Sequence, residues 1–171
     1  MDSTLKTILW GQFGAAIDML GNAMQECPDS LWRERLWDHP NEPAGYSEFW
    51  YLAYHALFWL DFYLTGLVEG FAPPMPFTLS EFEATGFPER VYTKDELQAY
   101  LDHGRKKCQT TIESLTDEKA AQVYKYRWVE LTFEELLLYN MRHVQEHAAQ
   151  LNLILGQKNI SVTGWVTKAK K

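Results

Sequence analysis

The sequence predicts an all-α fold, a four-helix bundle with long connections between its helices, and three observations carry the prediction. Four segments, about residues 3–25, 47–69, 93–115 and 132–155, place side chains of like character at the alternating three- and four-residue spacing of a helix face. Each is long enough to cross a small domain, and none contains a proline. Two of them open with Thr-x-x-Glu, a pattern in which each side chain satisfies a backbone donor left free at the other's position.

The first segment runs from Ser3, its expected N-cap, to about Gln25, with Leu5, Leu9, Gln12, Ala16, Met19 and Ala23 on one face, and stops before Cys27-Pro28. The second follows the turn Pro43-Ala44-Gly45, is expected to be capped by Ser47, and continues to about Gly70 with the stripe Tyr51, His55, Phe58, Phe62, Thr65. The third starts at the box Thr93/Glu96 and carries Leu97, Leu101, Gly104, Cys108, Thr111 and Leu115. The fourth starts at the box Thr132/Glu135, carries Leu136, Asn140, His143, His147, Gln150 and Ile154, and is expected to close at Gly156.

The connections, about residues 26–46, 71–92 and 116–131, are long enough for crossovers as well as hairpins, so the topology stays open. The middle one interleaves Pro73, Pro74, Pro76 and Pro88 with Phe71, Met75, Phe77, Phe82 and Phe87, too apolar a mixture to stand in water, and is expected to pack over the helices. Short helical turns are expected at Ser80–Glu83 and around Asp117–Gln122.

At 171 residues, 46% of them apolar and 15% aromatic, the chain fits one domain over residues 1–171 with a self-sufficient core. A formal charge of −7 repels phosphate chains and anionic lipid, which argues against nucleic acid and membrane surfaces as partners. The basic cluster Lys168, Lys170, Lys171 reads as a frayed terminus. Absence of a bilayer-length apolar run and of a secretory signal pattern leads to a cytoplasmic expectation. Cys27 and Cys108 lack paired spacing and are expected to be reduced and buried.

One stripe does not look like core. Between Leu136 and Ile154 the fourth helix places Asn140, His143, His147 and Gln150 on the side expected to be buried, and leaving such groups unsatisfied costs about 1–3 kcal/mol each. Water, a partner side chain or a metal must answer them. His55 adds a third imidazole from an aromatic stripe of another helix, and three convergent imidazoles point to a divalent cation with at least one coordination position left for water or substrate. The candidate ligands are therefore His55, His143 and His147.

Asn140 and Gln150 border the pair and are candidates to orient a ring or a bound water; Glu146 either reaches the edge of the site or is a solvated surface acid. Tyr51, Phe58 and Trp59 neighbour His55, while His39 and His103 read as structural. The order His143-Val144-Gln145-Glu146-His147 lacks the glutamate of the zinc-protease motif, which argues against peptide hydrolysis by that route.

His55 in Tyr54-His55-Ala56, the His143-x-x-x-His147 pair followed by Gln150-Leu151, the stretch Leu131-Thr132-Phe133-Glu134-Glu135-Leu136, and Pro28-Asp29-Ser30-Leu31-Trp32 together resemble the DinB-like (DinB/YfiT-like) superfamily. The resemblance covers about residues 1–156 and implies a four-helix bundle, a zinc, nickel or similar ion on the three histidines, and a homodimer packed through helix faces. It also implies a metal-dependent transferase or hydrolase, with a thiol-dependent S-transferase using a low-molecular-weight thiol as the leading expectation. The alternatives are a non-catalytic metal- or small-ligand-binding stress-response module, and three rings hydrogen-bonded around water with no metal. Imidazole suits zinc, nickel, copper and iron alike.

Overall fold

The computed structural model describes residues 2–38, 40, 43–83 and 86–170. His39, read as structural, and Lys171 of the basic cluster lie outside the described residues. In chain order the elements are α1 (Ser3–Glu26), α2 (Phe49–Thr65), α3 (Lys94–Glu113), a one-turn α4 (Asp117–Ala120), an antiparallel hairpin of β1 (Val123–Lys125) and β2 (Glu130–Thr132), and α5 (Phe133–Gln157). The fold is mostly helical, and the four long helices touch in a ring: α1 and α2 each pack against both α3 and α5. No helix among the described residues is long and apolar enough to cross a membrane.

Both predicted capping boxes form. Thr93 Oγ1 accepts from the Glu96 N–H at 3.2 Å while the Glu96 carboxylate accepts from the Thr93 N–H at 2.8 Å, and Thr132 and Glu135 do the same at 3.4 and 2.9 Å. At α1 the cap is Asp2, whose carboxylate accepts from the Thr4 N–H at 2.9 Å; a formal negative charge suits the positive helix end better than the Ser3 hydroxyl.

α2 spans 49–65, shorter than the expected 47–69. A 3-10 turn over Ala44–Ser47 delays its start, and the Ser47 hydroxyl accepts from Arg35 Nε at 3.3 Å instead of capping. Its end is fixed by Gly66, at φ 84°, where a Cβ would stand 2.6 Å from the Tyr124 ring, so a left-handed glycine is required for two reasons. α5 also ends differently: Gly156 stays inside the helix, and Asn159 takes the positive φ of 60°.

The proline-rich connection packs as its composition requires. Phe71 meets Phe58 and Phe62 edge-on, and Phe77 stacks on Tyr100 with centroids 4.3 Å apart. This covering leaves α2 buried on nearly every side, its partial exposure confined to His55, Trp59 and Thr65. His103 stands 3.5 Å from Asp61, a buried acid that Lys107 neutralises at 2.5 Å, in keeping with a structural role. Both cysteines are free and buried, and burial pushes the Cys27 thiol up to about 11 and Cys108 further still.

Two further features depart from expectation. Residues 123–132 form the hairpin, whose short strands give too little alternation to stand out from a loop. The basic tail is docked, not frayed: the Ala169 N–H donates to the Gly11 carbonyl at 2.8 Å, and the Lys170 N–H donates to Asp18 at 2.6 Å. Arg105 joins them, donating to Asp18 at 2.9 Å and to the Lys170 carbonyl at 2.6 Å. Asp18 is buried, and the tail and Arg105 together answer its charge. Gly14 permits the approach, since a Cβ there would stand 2.6 Å from Ala169. Removing residues 158–171 should therefore cost about 2 kcal/mol through Asp18 alone, which is about 4–8 °C in Tm; an unchanged thermal melt would show that the docking adds nothing.

Candidate metal centre

His55 sits in the middle of α2, and His143 and His147 sit one turn apart on α5, the helix against which α2 packs. The three rings meet through their Nε2 atoms: His143 Nε2 lies 3.3 Å from His55 Nε2 and 3.1 Å from His147 Nε2. One nitrogen from each residue falls within 4.8 Å of the other two.

The outer nitrogens decide what the inner ones can offer. His55 Nδ1 lies 2.8 Å from a Glu81 carboxylate oxygen, and His147 Nδ1 lies 2.8 Å from the Gln150 side-chain oxygen. Both acceptors hold the ring proton on Nδ1, which leaves the Nε2 lone pairs of His55 and His147 aimed at His143. His143 can present one proton to one of them, and its own Nδ1 is buried without a partner among the described residues. At least one lone pair is thus left without a proton donor about 3 Å from the His143 nitrogen, a mismatch that a cation relieves. Three nitrogens about 2.0–2.1 Å from one ion stand about 2.9–3.4 Å apart at octahedral to tetrahedral angles, so the observed 3.1 and 3.3 Å edges fit a shared ion.

Burial first, then repulsion from His147 and His55, pushes His143 down to about 2; burial first, then His55, brings His147 to about 4 against an opposing pull from Gln150 and Glu81. Both rings are neutral at pH 7, the state a metal ligand needs.

The histidines are half-buried, not in the dry interior that the sequence suggested. Along α5 the fully buried series Val144, Ala148, Leu151 and Leu155 lies one position round from His143, His147, Gln150 and Ile154, while Leu136 and Asn140 at the start of the histidine stripe are buried as well. Both series satisfy helical spacing; the apolar one faces the core, and the histidines take its border. There they meet a cleft of about 560 Å3 lined by aromatic rings, with His55, His143 and Glu81 at its wall.

The remaining candidates separate clearly. Gln150 meets a ring, its side-chain oxygen lying 2.8 Å from His147 Nδ1. Asn140 is fully buried and donates to the Leu60 carbonyl at 3.0 Å, tying α5 to α2 instead of touching an imidazole. Glu146 is exposed and lines a different hollow with Gln12 and Trp165 on the α1 side. Tyr51 acts through another residue: its hydroxyl donates to Glu81 at 2.7 Å, and burial followed by that carboxylate's charge raises its pKa and keeps it protonated. Trp59 lines the cleft, whereas Phe58 belongs to the core.

Glu81 is the residue that sequence reasoning missed. It accepts from Tyr51, from His55 and, at 2.9 Å, from Trp59 Nε1, and its side chain is only 5% exposed, so these three hydrogen bonds hold it to this corner. Nothing local singled it out: Glu81 follows the polar Ser80, and a second acid, Glu83, stands two residues on, in the stretch where the expected short turn does form.

A sequence model of the DinB superfamily matches residues 12–151. The chain belongs to the DinB superfamily. No curated protein matches it. The span shared with the DinB superfamily takes in all three histidines and Gln150 and leaves out the docked tail.

The depressed histidines fix the sign of a pH effect. In metal-free protein the unfolded chain takes up protons below about pH 6.5, while folded His147 resists to about 4. Stability present above pH 6.5 is therefore lost as the pH falls toward 4. Chelated protein should melt at progressively lower temperature between about pH 6.5 and 5, and the His143→Gln/His147→Gln variant should show a flatter slope; equal slopes would refute neutral burial of these rings.

Proposed function

We propose that this DinB-superfamily chain is a divalent-metal-dependent enzyme of the thiol-transferase kind, with zinc or nickel on His55, His143 and His147. The observation that carries the reading is the pair of Nε2 lone pairs fixed inward by Glu81 and Gln150, 3.1 and 3.3 Å from a third imidazole nitrogen, beside an open cleft. Membership of a superfamily generally associated with metals supports it. When bound, an ion with a free coordination position lowers the pKa of a thiol or water and so supplies a nucleophile near neutral pH.

The chain's own residues contribute position and exclusion of water. Glu81 holds His55 by Nδ1, Tyr51 and Trp59 hold Glu81, and Gln150 holds His147, so the two outer imidazoles cannot swing away from the third. Trp59, Phe82 and Trp128 form much of the cleft wall, giving a low-dielectric approach beside the nitrogens.

Untagged protein should carry close to one equivalent of a transition metal by elemental analysis; less than about half an equivalent at neutral pH would count against the site. His147→Ala should abolish metal-dependent conjugation of a small thiol to an electrophile, read as product release with and without metal. Bound metal that raises Tm without any turnover would instead identify a non-catalytic binding module.

Glu81→Gln keeps the shape and removes the charge. It should weaken metal binding by about 10- to 100-fold, measured by competition with a chromophoric chelator. Wild-type affinity in that variant would show that the carboxylate does not support His55.

A further inference from the structure

We propose that the cleft takes an uncharged ligand with a flat aromatic body and one small donor group, a thiol or a hydroxyl, directed at the histidines. The inference deepens the proposed function and rests on it for the position of the donor atom; the nature of the body is argued from the walls.

Those walls are ring faces set at right angles. Trp59 and Trp128 lie 5.5 Å apart at 87°, and Tyr63 and Tyr139 lie 5.5 Å apart at 87°. At this spacing the rings of each pair touch edge to face, and a planar guest in the angle beside a pair stacks on one ring and meets the other edge-on. The volume, about 560 Å3, falls inside the usual range for small-molecule pockets, about 300–1,000 Å3.

The polar atoms of the walls are already engaged. Trp59 Nε1 donates to Glu81, Trp128 Nε1 donates to the Tyr63 hydroxyl at 3.3 Å, and Glu81 accepts from three donors. A guest therefore meets apolar surface nearly everywhere except at the nitrogens of His55 and His143. At the rim, Trp128 is 50% exposed and Val68 is 58% exposed, apolar area that a flat guest would cover.

Charge selects further. No lysine or arginine among the described residues lines the cleft, so an anionic group on the aromatic body, held away from the ion by the donor atom, finds no side-chain counter-charge at the walls. A cationic group is repelled by the divalent ion that the donor atom approaches, and the Glu81 carboxylate, 5% exposed behind Tyr51, His55 and Trp59, is closed to direct pairing. The small, highly polar thiols that match the donor atom alone would leave the aromatic walls wet.

The test compares thiols that share a donor and differ in body: phenylmethanethiol, 2-sulfanylethanol, 4-(sulfanylmethyl)benzoate and 4-(aminomethyl)phenylmethanethiol. Each is titrated into nickel-loaded full-length protein and followed by tryptophan fluorescence and by the thiolate-to-nickel absorption band. Phenylmethanethiol should bind at least about tenfold more tightly than the other three. In Trp128→Ala that advantage should shrink about five- to tenfold while nickel affinity, measured separately by calorimetry, is unchanged. Val68→Lys, at an exposed position, should shift the preference toward the benzoate. Equal or tighter binding of the polar, anionic or cationic thiol to wild type would overturn the inference, as would an undiminished advantage in Trp128→Ala.

The two readings fail separately. Nickel binding without a preference for the neutral ring removes the inference and leaves the metal site. If no metal binds, benzyl alcohol titrated into the metal-free protein decides the matter: saturable quenching lost in Trp128→Ala supports the aromatic cleft, and no quenching overturns it.

Discussion

The junction of α2 with α5 is the constraint from which the site follows. Imidazole nitrogens on two helices stay 3.3 Å apart only if the helices neither slide nor rotate, because one residue of slip moves a side chain by 100° around the axis. Asn140 prevents the slip. It is fully buried on α5, one turn before His143, and its amide donates to the Leu60 carbonyl of α2. A polar group in that setting is costly unless its partner is in place, so the bond specifies register more than it adds stability. The apolar stripe Val144, Ala148, Leu151 then closes the interface, and the histidines are left along its border.

A second layer of control comes from the connection between α2 and α3, which behaves as part of the site. Its aromatics bury themselves against α2 and α3 and so carry Glu81 to the Nδ1 of His55. The carboxylate is held by three donors from α2, which means that the helix grips the loop at the same point where the loop orients the helix's own histidine. Hydrophobic packing does the positioning, and hydrogen bonding fixes the final direction.

How much of this was legible in the sequence depended on range. The capping boxes at Thr93 and Thr132 are local chemistry and placed two helix starts within a residue. The His143/His147 pair is a one-turn repeat, and Gln150 follows it by three, so their shared face and contact could be read directly. Glu81 could not, because its partner lies 26 positions away through a segment without periodicity. The same holds for the docked tail, whose partners Asp18 and Arg105 are ordinary surface types in isolation. The α5 stripe shows a subtler limit: two helical series ran side by side, and polarity should have assigned the one through Val144 and Ala148 to the core.

The hairpin carries a mechanical consequence. Thr132 is at once the last residue of β2 and the cap of α5, and Trp128 hangs from the same hairpin over the mouth of the cleft. Tyr126 clamps that arm to the end of α2 by donating to the Gly66 carbonyl at 2.8 Å. One short arm therefore joins the cleft wall, the root of the helix bearing two imidazoles and the tip of the helix bearing the third.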